Sequence, residues 1–236
     1  MNYLEREGIG IMKSEFVPEL EGALRKHMIK IPMVINEVCG VRVMGKLIKS
    51  LLFSTDIAII RNCNADAIMA VYPFTPQPII ANSIITCADV PVFIGVGGGT
   101  TRGKRVTNLA ENAEYLGAAG VVVNAPTPDE TLTFVSEKIN IPITITVVSE
   151  KTDIEKRLES GASILNVSAA ARTPFVVSEI RKRFPKVPII ATGGSTDDAI
   201  LRTIDAGANA ITYTPPTAAE LFKNLMTSYR EESNQL

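Results

Sequence analysis

Short apolar runs punctuate the chain, and they come in two alternating kinds. One kind opens on an aliphatic residue and a proline: Ile31-Pro32-Met33-Val34-Ile35, Val90-Pro91-Val92-Phe93-Ile94, Ile141-Pro142-Ile143-Thr144-Ile145 and Val187-Pro188-Ile189-Ile190-Ala191. The other kind follows a turn of small or polar residues: Asp66-Ala67-Ile68-Met69-Ala70-Val71, Gly120-Val121-Val122-Val123-Asn124, Gly161-Ala162-Ser163-Ile164-Leu165-Asn166 and Gly207-Ala208-Asn209-Ala210-Ile211-Thr212. The runs are β-branched and read as continuous apolar stretches, which is the pattern of strands covered on both faces. Proline at a strand's first position removes no ladder hydrogen bond. The spacing predicts eight parallel strands at 31–36, 67–72, 91–96, 120–124, 142–147, 163–167, 188–192 and 209–213.

The pieces between them read as helices over 111–116, 131–139, 153–158, 175–184 and 197–204. Gly161, Pro185 and Gly207 follow three of these as stop signals. Thr217-Ala218-Ala219-Glu220 has the form of a capping box opening a last helix. Val41, Met44, Leu47, Ile48, Leu51 and Leu52 fall at helical spacing and predict a helix after the first strand, with Ser54-Thr55-Asp56 starting a short second one. The fold class expected is α/β, a single-domain (β/α)8 TIM barrel over 31–236. Residues 1–30 form a short N-terminal extension, whose 15–27 stretch is expected to be a helix capping the barrel bottom. An open doubly wound sheet also has βα repetition, but eight near-equal units favour closure.

Composition then narrows the function. Hydrophobic residues make up 46% of the 236, enough for a large core, and charged residues 21%. The net charge is −1 with both signs dispersed, which predicts neither a nucleic-acid nor a membrane surface. Cys39, Cys63 and Cys87 have no CxxC spacing and read as reduced thiols, and the first 13 residues lack the apolar run of a signal peptide. The expectation is a cytoplasmic protein, with homo-oligomerisation left open. The single histidine, His27, lies ahead of the barrel, and no strand-end cluster of acids suggests a metal cage, so no metal is expected.

In a barrel the chemistry sits where strands end. Glu37, directly after the first predicted strand, is placed as the acid/base group, with an ion pair to Arg42 or Lys46 as the alternative. Gly97-Gly98-Gly99-Thr100-Thr101 followed by Arg102, Lys104 and Arg105 joins close backbone approach to positive charge, which suits an anion. Asn124, Asn166 and Arg172 stand at further strand ends as orienting groups, Asn166 also as a catalytic candidate.

The stretch Ile189-Ile190-Ala191-Thr192-Gly193-Gly194-Ser195-Thr196 with Ala206-Gly207-Ala208 resembles the seventh strand, loop and helix of phosphate-binding barrels. That group includes the ribulose-phosphate-binding barrels, ketohydroxyglutarate-type aldolases, thiazole synthase and flavin-binding barrels. The resemblance implies that Gly193 and Gly194 donate backbone N–H groups to a phosphate. Two departures stand against it: Pro215-Pro216 after the eighth strand remove two donors, and Asp197 and Asp198 repel an anion from the helix start. The lysine that Schiff-base aldolases of this group carry in strand six is replaced here by Asn166, so that mechanism is not expected. The resulting expectation is an isomerase or lyase acting on a small anionic, phosphorylated carbonyl or sugar compound, with no cofactor required. A flavin-mononucleotide (FMN) protein and a non-catalytic ligand-binding barrel are the alternatives.

Overall fold

In a computed structural model of the chain, which describes residues 28–233 together with Leu20 and Gly22, eight parallel strands close into one barrel. They are β3 (Ser50–Phe53), β4 (Ala67–Ala70), β5 (Val92–Gly97), β6 (Gly120–Val123), β7 (Ile143–Val147), β8 (Ile164–Val167), β9 (Ile189–Thr192) and β10 (Ala210–Tyr213), which pairs back onto β3. Seven of these coincide with expected strands. The intervening helices are α1 (Ile57–Arg61), α2 (Pro78–Cys87), α3 (Lys104–Tyr115), α4 (Asp129–Ser136), α5 (Ile154–Glu159), α6 (Thr173–Arg183) and α7 (Asp197–Asp205), and α8 (Ala218–Ser233) follows the last strand. The (β/α)8 barrel is therefore the observed fold. The doubly wound alternative falls with the closed ring.

The first strand is the correction. Residues 31–36 do not form it: Met33–Glu37 is a 3-10 turn that packs beside α7. The stretch with helical spacing is instead a hairpin, β1 (Val41–Val43) and β2 (Lys46–Ile48), leading into β3. The turn explains the difference. Met44 (φ 48) and Gly45 (φ 82) take the left-handed conformations of a tight hairpin turn. The Asp66 carboxylate then accepts from the Lys49 and Ser50 amides and the Ser50 hydroxyl, which ties the start of β3 to β4.

Two apolar clusters define inside and outside. Leu51, Met69, Phe93, Val122, Ile164, Ile190 and Ala210 fill the barrel interior together with Val43 and Ile48 of the hairpin. Leu52, Ile68, Ile94, Val121, Ile145, Leu165, Ala191 and Ile211 belong to the outer layer, under the helices. The hairpin thus plugs the amino-terminal end. The expected helix over 15–27 lies almost wholly outside the described residues. No helix among the described residues is long and apolar enough to cross a membrane.

Candidate functional site at the carboxyl mouth

Strand alternation decides what lines the interior. Ile143, Ile145 and Val147 face outward, so Thr144 and Thr146 face inward. The same argument points Asn166, Thr192 and Thr212 inward, above Ile164, Ile190 and Ala210. The half of the lumen built from β7 to β10 therefore carries hydroxyls and an amide, and the half from β3 to β6 carries Met69, Phe93 and Val122. Asn166 donates from Nδ2 to Thr146 Oγ1 at 3.4 Å, a long contact. The Asn166 Oδ1 and the Thr212 and Thr144 hydroxyls are buried with no protein partner. Buried polar atoms are nearly always satisfied by protein or water, so these three mark where a polar ligand or ordered water is accommodated.

Beyond the ends of β4, β5 and β6 lies a cleft of about 250 Å³, lined by Val71, Tyr72, Phe74, Gly97, Gly98, Gly99, Thr100 and Asn124. The glycines are there for space and conformation. Gly98 has φ 100, and a β-carbon on it would overlap Asn124. The Asn124 amide donates to the Gly97 carbonyl at 2.9 Å, which locks the two loops together. Behind Asn124, Arg157 of α5 donates to the Ala125 and Thr127 carbonyls and to Asp129, so the loop after β6 is clamped from outside.

At the ends of β7 and β8, Arg172 Nη2 meets Glu150 Oε1 at 2.6 Å, and the guanidinium lies 5.5 Å from the Phe175 ring centroid. Glu150's own backbone N–H, and next the Arg172 hydrogen bond, hold its carboxyl below the usual value. A depressed carboxylate stabilises the fold above its unfolded value, about 4.3, and loses that contribution as pH falls through the lowered folded value. The pair is intact at neutral pH.

The expected site residues divide into groups. Gly97, Gly98, Gly99 and Asn124 meet around the cleft. Asn166 and Arg172 come from β8 and the short 3-10 turn after it. Arg102 folds back, donating from Nε to Gly99 O at 2.7 Å, and Lys104 is an exposed residue of the first turn of α3. Gly193 and Gly194 form the turn after β9, and Gly194 lines a separate depression of about 550 Å³ with Ser195, Thr214, Pro215, Glu220 and Lys223.

Glu37 is not at a strand end. It is the last residue of the 3-10 turn, on the way to the amino-terminal end, where Gly40 N–H donates to Asn209 O just before β10 and Lys49 Nζ donates to Asn36 O. Its anticipated partner Arg42 donates to Gly45 O. A carboxylate that does stand beyond a strand end is Glu150, after β7. Two sequence signals pointed to this half: the alternation Ile143-Thr144-Ile145-Thr146, and an acid and an arginine a few residues beyond adjacent strands.

Among the described residues no three His, Cys, Asp or Glu side chains gather as a metal cage. At the mouth Asp56 caps α1, accepting from the Ala58 and Ile59 amides, and Glu150 is paired with Arg172. No barrel strand contains a lysine.

No family model and no curated protein matches the chain. Solved structures do match, at the level of fold. Phosphoenolpyruvate phosphomutase from Streptomyces platensis subsp. rosaceus aligns with TM-score 0.59 and 11% identity, covering 85% of this chain and 84% of that one. Phosphonopyruvate hydrolase in complex with oxalate and Mg++ aligns with TM-score 0.55 and 11% identity, covering 77% and 79%. Dihydrodipicolinate synthase aligns with TM-score 0.54 and 19% identity, covering 70% and 69%. None of the three is described as a flavoprotein, and with Pro215 and Pro216 beside Gly194 the FMN reading finds no support. At these identities the likeness is one of fold, and the fold that this chain shares with all three is the (β/α)8 barrel.

Proposed function

We propose that this chain is an enzyme of the lyase or mutase/isomerase class acting on a small compound that carries a carboxylate or phosphate, at the carboxyl mouth of the barrel. The observation that carries the reading is the set of buried, unpartnered oxygens of Asn166 and Thr212 in the polar half of the lumen. Asn166 lies on β8, the strand whose following turn presents Arg172, and Thr212 on β10 of the same ring. A barrel interior with no ligand role would be filled by apolar side chains, as the other half is. The roles follow from chemistry. Asn166 and Thr212 hydrogen-bond the ligand's neutral oxygens, Asn124 and the glycine loop shape its seat, and Arg172 meets its charge. The compounds named in the matched structures' descriptions, phosphoenolpyruvate, phosphonopyruvate and oxalate, are all small anions, which agrees with this reading.

The test is a thermal-shift screen of small carboxylates and phosphates, with NMR detection of turnover for each compound that stabilises the protein. A ligand at about 100 times its Kd stabilises by about 2.7 kcal/mol, a rise on the order of 5–10 °C in Tm for a domain of this size. Absence of any stabilising anion rejects the reading. A second reading, a ligand-binding barrel without turnover, is favoured by one observation: two carboxylates beyond the strand ends, Asp56 and Glu150, are already engaged. Stabilisation without product in the same screen selects it.

A further inference from the structure

The arginines of this chain are used in two different ways. Arg157 and Arg181 are structural: each directs its guanidinium to several backbone carbonyls, Ala125 and Thr127 for the first, Pro185, Val187 and Gly207 for the second. Arg172 has no carbonyl partner. Among the described residues its guanidinium donates to Glu150 alone, through one nitrogen, at 2.6 Å. A guanidinium offers five donors, so most of this one's capacity faces outward. Its side chain is 62% exposed and that of Glu150 24%. Ion pairs this exposed contribute little to stability.

Position adds the rest. The pair bridges the segments after β7 and β8, above Asn166 and Thr146, whose contact links the same two strands. The Phe175 ring lies 5.5 Å from the guanidinium and gives it a second contact besides Glu150. Besides Arg172, the Glu150 carboxylate has its own backbone N–H and a 3.4 Å contact from Ser149 Oγ, all within its own short segment. An exposed guanidinium with unused donors, joined to a carboxylate through one nitrogen, can exchange that carboxylate for another anion.

We propose that Arg172 is the receptor for the ligand's carboxylate or phosphate, and that the Glu150 carboxylate occupies that place until the ligand displaces it. The inference rests on the reading of the mouth as an anion site. It adds that the site is self-competing: an incoming anion of the same chemistry as the Glu150 side chain replaces it on the guanidinium fork, and Glu150 is released towards the polar half of the lumen. Glu150 thereby sets a threshold for anion affinity, and a weakly charged or neutral compound does not open the pair.

The experiment is isothermal titration of the full chain with inorganic phosphate and, separately, with malonate. It compares the unaltered protein with Glu150→Gln and Arg172→Gln, each checked by circular dichroism. Glu150→Gln is expected to bind about 3- to 10-fold more tightly, and Arg172→Gln to lose affinity on the order of tenfold or more. A gain with phosphate alone or malonate alone assigns the group that the receptor prefers. If Arg172→Gln loses binding while Glu150→Gln is unchanged or weaker, the anion site stands and the stand-in role is overturned. If no form binds either anion, the anion site itself falls, and the inference with it. A crystal of the unaltered protein grown in phosphate gives a readout free of variants. Phosphate on Arg172 with Glu150 displaced supports the proposal, and an intact Arg172–Glu150 pair overturns it.

Discussion

Asn166 illustrates how a single side chain separates stability from function. It stands on the inner face of β8, is 7% exposed, and leaves its Oδ1 without a protein partner. A buried unsatisfied acceptor costs free energy, and replacing it by an apolar group of similar shape is close to neutral or stabilising. Its one contact, 3.4 Å to Thr146, is too long to offset that. Asn166→Leu is therefore expected to keep or raise Tm while abolishing the stabilisation by whichever anion the unaltered protein binds. Paired thermal melts with and without that compound check both halves. A loss of several degrees in the ligand-free melt would make Asn166 a structural residue instead. The sequence placed Asn166 at a strand end by its position, which the structure retains. It misplaced the acid, because Glu37 qualified only through a strand at 31–36 that is a 3-10 turn.

At the scale of elements, the β1–β2 hairpin carries the sharpest difference between pattern and structure. Val41, Met44, Leu47, Ile48, Leu51 and Leu52 satisfy a helical period, yet only Ile48, Leu51 and Leu52 of these are buried, together with Val43, which lies off that period. Ile48 is 1% exposed in the barrel plug, and Leu47 is 42% exposed. Ile48→Ala is expected to destabilise by about 2–4 kcal/mol, and Leu47→Ala by less than about 1 kcal/mol. Urea unfolding of the two variants measures this, and equal losses would contradict the hairpin. Proline explains why the first strand was misread: Ile31-Pro32 has the same form as the openings of β5, β7 and β9, but Val92, Ile143 and Ile189 follow those prolines into paired strands. Nothing local separates the first case from the others. The separation comes from the ring itself, where the Asp66 carboxylate fixes the start of β3 beside β4. Helix α2 escaped detection because Pro78 to Cys87 lacks charged residues, and only Asn82, Ser83 and Thr86 mark its polar side.

For the whole molecule, the outer layer is completed in an uneven way. Seven helices alternate with the strands, but the place beside α7 is taken by the 3-10 turn Met33–Glu37, whose Ile35 is fully buried in the outer core. Ile31 and Val38 on either side of it are buried as well. The eighth helix contributes little in comparison. Its capping box forms as the sequence predicts, with Thr217 and Glu220 exchanging hydrogen bonds. Yet Phe222 is 68% exposed, and only Leu221 is a partly buried side chain packed on the core. The eight strands close into a ring to which α8 adds none of its own. A chain ending at Pro216 is expected to lose about 1–2 kcal/mol, the burial of Leu221 and its neighbours. Replacing Ile35 by alanine alone is expected to cost about 2–5 kcal/mol, since a fully buried isoleucine is removed from a packed layer. Chemical denaturation of the two proteins, side by side, decides the order. If the truncated chain proves less stable than Ile35→Ala, then α8 and not the 3-10 turn holds the outer wall at the β10–β3 seam.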